Sequence, residues 1–204
     1  MYTVPCDSHR VRTTVTSEPS VVRRWVHAIR HRYSFHRHSG RLVAGLGVQW
    51  VPGSAYAATL QLCVGSNCLI FQLSHAHRCP AVLRRFLLDP DVIRVGLWNH
   101  SDEAMLMRSE HALQVRQLLD VRNAARDLRG CRLGASMGEL AEEILGIYGM
   151  EKDNEVGRSD WEDEDLTWEQ VEYACHDVFL SFLMALKLSV WDWEAHHGSV
   201  VFSF

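Results

Sequence analysis

The order of apolar periods along the 204 residues predicts a single α/β domain, a mixed β-sheet flanked by helices. Three observations carry that expectation. Segments 42–50, 59–64 and 68–73 are rich in aliphatic residues and separated by short turn signals, as in a three-strand meander. From Pro80 to about Leu119, helical spacing alternates with a single apolar strand. A helical pattern then runs unbroken from Thr167 to about Leu188, where a long closing helix would lie. The chain is long enough for one well-buried core and short for two, and its 47% hydrophobic and 23% charged residues match folded globular proteins.

Taken in order, residues 10–16 alternate Val and Thr with polar residues and read as a strand. Ser17 is a candidate N-cap and Pro19 a first-turn residue for a helix over 19–32, whose apolar positions Val22, Trp25, Val26 and Ile29 recur at helical spacing. Residues 31–40 read as a polar loop ended by Gly40. Pro52-Gly53 closes the 42–50 strand, and Gly65-Ser66-Asn67 joins 59–64 to 68–73 as a hairpin. Pro80 opens a short helix, 92–97 is a further strand, and a helix follows over 102–109. Residues 114–119 fit either a strand or a short helix. A helix over 137–145 is closed by Gly146. Residues 151–165 form a charged loop containing Trp161, and Thr167 with Gln170 makes the capping box of the final helix. The organisation expected is an N-terminal strand and basic helix over 1–40, a main domain over 41–190 and a tail over 191–204.

Charge is unevenly placed. Residues 1–41 hold eight arginines against Asp7 and Glu18, whereas residues 151–169 hold nine acids against Lys152 and Arg158, within a formal net charge of -4. Arginine-rich surface suits phosphate, because the guanidinium fork meets its oxygens bidentately; a solvated helix face explains the same charges equally well. The two patches are also suited to meet across a subunit interface. Six cysteines without a Cys-x-x-Cys pair read as buried thiols of a reducing compartment, with Cys63 and Cys68 on adjacent strands of the hairpin. The N-terminus lacks the pattern of a secretory signal, and no apolar run approaches the roughly 20 residues that span a bilayer. A cytoplasmic setting, or a nuclear one, is expected.

Several short segments together carry a family resemblance. They are Leu60-Gln61-Leu62-Cys63, Val95-Gly96 with Asp102, Leu119-Asp120-Val121, residues 140–146, Trp161, Leu166-Thr167, and Tyr173-Ala174-Cys175-His176-Asp177. In that order and spacing, residues 41–187 resemble the 3'-5' exonuclease domain of the Werner-syndrome type, in the ribonuclease H-like, DnaQ-type group with a tyrosine in its last motif. The resemblance implies phosphodiester hydrolysis with Mg²⁺ or Mn²⁺. Two such ions about 4 Å apart activate a water and stabilise the leaving oxygen. Both are hard cations held by carboxylate oxygens.

Carried over residue by residue, Asp102 and Asp177 would be metal ligands and, with Tyr173 as the residue orienting water, the catalytic group. Tyr173 and Asp177 lie four apart and would share one helix face. Asp102 has a plainer reading, as an acid favoured in a helix's first turn by the helix dipole. The first motif departs from the pattern. Gly47 stands where the family has its bridging Asp, and Gln49 where it has Glu, although Trp50 still follows. Gln49, Trp50 and His100 are expected to contact substrate, although solvated surface is the plainer reading of both His100 and His176. Ser20-Val21-Val22-Arg23-Arg24-Trp25, Gly45-Leu46-Gly47-Val48-Gln49-Trp50 and Leu60-Gln61-Leu62-Cys63-Val64-Gly65 look like the small plant exoribonucleases that associate with the RNA-induced silencing complex. That likeness implies clearance of short single-stranded RNA, association with Argonaute, and a ring-like homo-oligomer such as a hexamer with sites at its interfaces. A neighbouring copy, through its acidic loop, could then complete the site. The competing expectation is an exonuclease fold that binds nucleic acid or Argonaute and has lost the reaction.

Overall fold

The computed structural model describes residues 1–197. Its strands are β1 Tyr2–Cys6, β2 His9–Thr16, β3 Leu42–Gln49, β4 Thr59–Val64, β5 Asn67–Gln72, β6 Val92–Gly96 and β7 Leu118–Asp120. The helices are α1 Pro19–Arg32, α2 Ser34–His38, α3 Ala81–Leu88, α4 Asp102–Arg108, α5 Val121–Arg129, α6 Met137–Leu140, α7 Asn154–Gly157, α8 Trp168–Lys187 and α9 Val190–His197. One mixed sheet takes the order β1-β2-β5-β4-β3-β6-β7. The expected meander is β3-β4-β5, paired antiparallel, with Cys63 opposite Cys68. β6 and β7 run parallel to β3 and to each other. β2 lies parallel to β5, and β1 folds back antiparallel at the edge.

Both faces of the sheet are covered, which is why β3 is buried at every residue. Val22, Val26 and Ile29 of α1, the apolar stripe of α3, and Met105 and Leu106 of α4 pack with Leu42, Ala44, Leu46 and Val48 on one face. α5, α6 and α8 pack with Val43, Ile70, Ile93 and Val95 on the other. Period-2 alternation along β3 therefore assigns even positions to the first layer and odd positions to α8.

Several elements differ from expectation. The N-cap of α1 is Glu18, one residue beyond Ser17, because Pro19 already occupies the first helical turn; the Glu18 N–H is satisfied by Thr16 Oγ1 at 3.0 Å. The 31–40 stretch contains α2, held by Arg37, whose Nε meets Asp89 at 2.8 Å and whose Nη2 meets Asp91 at 3.2 Å. The 114–119 alternative resolves as β7. Beyond it stands α5, capped by the Asp120 side chain and closed by Gly130 at φ 73°. The helix expected over 137–145 is α6 running into a π turn, closed by Gly146 at φ 70°. The charged loop contains α7, and the tail begins as α9; residues 198–204 lie outside the described residues. All six cysteines are free.

Candidate active site

The site is built where α8 crosses β3. A Cβ placed on Gly45 would lie 2.0 Å from the Val178 carbonyl oxygen, so the helix rests directly on the strand backbone. No other residue type permits that approach. Two residues on, a Cβ at Gly47 would lie 3.4 Å from Asp177 Oδ2, and Gln49 Nε2 donates to the same oxygen at 3.4 Å. The two first-motif positions therefore face Asp177, and neither offers a carboxylate.

α8 is fixed at its start by the expected capping box: Gln170 N–H donates to Thr167 Oγ1 at 3.3 Å, and Thr167 N–H to Gln170 Oε1 at 2.9 Å. From there Tyr173 and Asp177 emerge one helical turn apart on the face turned to the 149–156 segment.

Asp102 comes from the loop after β6. That loop turns at Trp98, whose φ of 54° is left-handed, and is tied down by Asn99 Nδ2 donating to the Leu119 carbonyl at 3.0 Å. The Asp102 N–H then closes onto the Asn99 carbonyl at 3.1 Å, placing the acid at the start of α4 with 7% of its surface exposed. Burial, and after it the negative charge of Asp177, push the Asp102 carboxyl up to about 8, with Lys152 pulling the other way. Near neutral pH Asp102 is therefore largely protonated.

Lys152 is the site residue that sequence reasoning passed over. Its Nζ is 2.7 Å from Asp177 Oδ1 and 5.4 Å from the centre of the Tyr173 ring. Burial works against its charge, but Asp177, Tyr173 and Asp102 outweigh it and hold the ammonium above its ordinary value. The loop that carries Lys152 is anchored rather than loose. Trp161 is 1% exposed, its ring centroid 6.0 Å from that of Tyr173, and its Nε1 donates to the Gly157 carbonyl at 3.2 Å. Gln170 Nε2 donates to Ser159 Oγ at 2.9 Å and to the Asp160 carbonyl at 2.8 Å, and Gln72 Nε2 to the Glu164 carbonyl at 2.8 Å. The acidic loop thus folds back onto its own chain's site. A lone lysine between Glu151 and Asp153 was the available signal, masked by nine acids around it.

Lys152, Tyr173, His176 and Asp177 line a cavity of about 180 Å³. Tyr173 is pushed above its ordinary value, first by burial, against the pull of Lys152, so its phenol stays a hydrogen-bond donor. His176, expected to be solvated, is half-buried, with Nε2 2.8 Å from the Pro5 carbonyl. Trp50 packs against the cluster on the opposite sheet face, and His100 is exposed; neither lines the cavity.

A two-metal site needs several convergent carboxylates. Among the described residues no group of three His, Cys, Asp or Glu side chains is arranged to hold a metal ion. Asp177 is taken by Lys152, and Gly47 and Gln49 add no acid. The residues present do not fit a pair of divalent ions.

The fold class is that of the ribonuclease H-like nucleases. A family model described as 3'-5' exonuclease matches residues 52–190. The chain is 30% identical over 156 residues to human Exonuclease 3'-5' domain-containing protein 2, covering 72% of this chain and 25% of that protein. It is 25% identical over 152 residues to the mouse Bifunctional 3'-5' exonuclease/ATP-dependent helicase WRN, covering 72% and 11%. It therefore spans about a quarter or less of those relatives. Escherichia coli RNase D, an exoribonuclease involved in structured RNA processing, superposes with a TM-score of 0.73 at 18% identity, over 91% of this chain and 46% of that one. The EXD2 exonuclease domain soaked in Mn and GMP does so with 0.51 at 25%, over 95% and 99%. This chain belongs to the 3'-5' exonuclease family. Among its described residues no helix is long and apolar enough to cross a membrane.

Proposed function

We propose that this chain is a 3'-5' exonuclease that hydrolyses the terminal phosphodiester of a single-stranded nucleic acid, RNA by preference, beside Tyr173 and Asp177. The observation that carries the reading is the meeting of Tyr173 and Asp177 around Lys152 in one cavity beside β3, with Asp102 near enough for both charges to act on it, in a chain of this family. In the reaction a water oxygen bonds to phosphorus and gives up a proton, the bond from phosphorus to the 3' oxygen breaks, and that oxygen takes up a proton, leaving a 3' hydroxyl and a released mononucleotide. Tyr173 and Asp177 orient the water. Asp102, pushed up to about 8, is matched to proton transfer near neutral pH.

Preference for RNA, association with Argonaute, a ring of identical subunits and a cytoplasmic or nuclear setting belong to the same proposal. Their support is the resemblance to the plant exoribonucleases, with the arginine-rich residues 1–41 as a phosphate-facing surface. A second reading, a module that holds 3' ends without cutting them, is favoured by Gly47, Gln49 and the Lys152–Asp177 ion pair.

The test uses 5'-labelled single-stranded RNA and DNA with Mg²⁺, with Mn²⁺ and with chelator. Stepwise shortening from the 3' end, lost in Asp102→Ala and Asp177→Ala, is the expected result. Equal cleavage by both variants and wild type sinks the site assignment, and inert wild-type protein that still retards RNA in a gel establishes the second reading. Light scattering on the eluting protein checks the ring.

A further inference from the structure

We infer that Lys152 is the resident cation of this site: its ammonium stands against Asp177 where a four-carboxylate exonuclease site would hold a divalent ion, and it engages the terminal phosphate of a nucleic acid without a divalent metal. This rests on the reading that the cavity receives a 3' end.

The first ground is charge. Four carboxylates carry a formal charge of -4, which divalent ions must neutralise before a phosphodiester can approach. Here glycine and glutamine replace two acids, and Lys152 stands against Asp177 as a neutral ion pair. At Asp177 the cation is supplied by the chain itself.

The second ground is geometry. Among the described residues Lys152 makes one hydrogen bond, to Asp177 Oδ1 at 2.7 Å, and an ammonium has three N–H donors. Two remain for an oxyanion, on a group that lines the cavity. The segment that follows Lys152 is anchored at Gly157, Ser159 and Glu164 by the Trp161, Gln170 and Gln72 side-chain bonds. Glu151, Asp153, Glu169 and Glu172 also line the cavity and repel further phosphates there, so within the cavity contact is with the terminal one.

The experiment is fluorescence anisotropy of a labelled single-stranded RNA oligonucleotide, with EDTA and with Mg²⁺, beside calorimetric titration of Mn²⁺ into the RNA-free protein. Wild type is expected to bind RNA equally in both buffers and to give no heat of stoichiometric Mn²⁺ binding. Lys152→Met should bind at least about tenfold more weakly in EDTA, the loss expected for a charge-assisted hydrogen bond, while Lys152→Arg retains binding. Thermal melts of both variants establish that they are folded, and Lys152→Arg keeps the test open if Lys152→Met is not.

Loss of wild-type binding in EDTA, unchanged binding by folded Lys152→Met, or no binding in either buffer each overturns the inference. Its failure separates from that of the exonuclease reading. RNA binding that needs Mg²⁺, with stepwise cleavage, removes Lys152 as the cation and leaves the nuclease. Binding in EDTA that depends on Lys152, with no cleavage in any buffer, does the reverse.

Discussion

Burial and the charge of Asp177 raise the Asp102 carboxyl to about 8, against 3.8 for a free aspartate, and that gap makes stability depend on pH. The folded chain keeps a proton there that the unfolded chain releases above about pH 4. Stability from this residue is therefore fully present below about pH 4 and is lost progressively as pH rises to about 8. Asp102→Asn removes the slope. At about 1.4 kcal/mol per pKa unit as an upper bound, we expect the variant to gain about 2–4 kcal/mol at pH 8 and little at pH 4, read from thermal melts in EDTA. Equal gains at both pH values would remove the electrostatic explanation. The neighbouring pair gives a second prediction. A side chain at Gly47 meets Val178 Cγ1 at 3.0 Å, a methyl that rotation can move, so Gly47→Asp with Gln49→Glu fits the fold and restores four carboxylates. Calorimetry should show stoichiometric Mn²⁺ binding that wild type lacks, strongest when Lys152→Met is added. No gain in either background would mean that positions 47 and 49 do not aim at Asp177 in solution.

At the scale of elements, the contact of α8 with β3 sets the site. Gly45→Ala would force a methyl to within 2.0 Å of the Val178 carbonyl, a backbone atom that moves only with the helix. We expect a cost of about 3 kcal/mol, the upper range for overpacking, whereas Gly47→Ala should cost about 1 kcal/mol because a side chain can yield; urea melts compare the two. The same contact explains what the sequence made legible. β3, β4, β5 and α8 bury whole faces or stripes, so their periods are strong, and Tyr173 and Asp177 follow from α8 by spacing alone. β1 was not legible because Pro5 interrupts its pattern; as an edge strand opposite Arg10 it tolerates the missing donor. α5 offered Asp120 as cap and Gly130 as stop, but its buried residues are Val121 and two alanines, a stripe too thin to read as a period. Lys152 was hidden for a different reason. Its place depends on Trp161, Gln170 and Gln72 holding one loop, which no local spacing encodes.

For the whole molecule, the open question is whether the N-terminal strands are an addition to the nuclease domain or part of its core. Val4 and Val11 are fully buried and Cys6 is 1% exposed, in the same cluster as α8, so each contributes about 1.5–3 kcal/mol if hydrophobic burial sets the scale. Thr13 Oγ1 donates to Cys175 Sγ at 3.2 Å, and the Pro5 carbonyl meets His176 on the helix turn that carries Asp177. β2 also covers the β5 edge, where Cys68, Leu69, Ile70 and Phe71 would otherwise present an apolar strand with free backbone groups. Deleting residues 1–16 should therefore remove about 5 kcal/mol, a large part of the 5–15 kcal/mol typical of a folded domain, and promote self-association through β5. Denaturant melts and light scattering on the shortened chain measure both. A shortened chain that stays monomeric and melts like the full one would make β1 and β2 accessory. If it is destabilised instead, its RNA affinity in EDTA should fall with it, because the α8 face that presents Asp177 to Lys152 has lost the strand packed behind it.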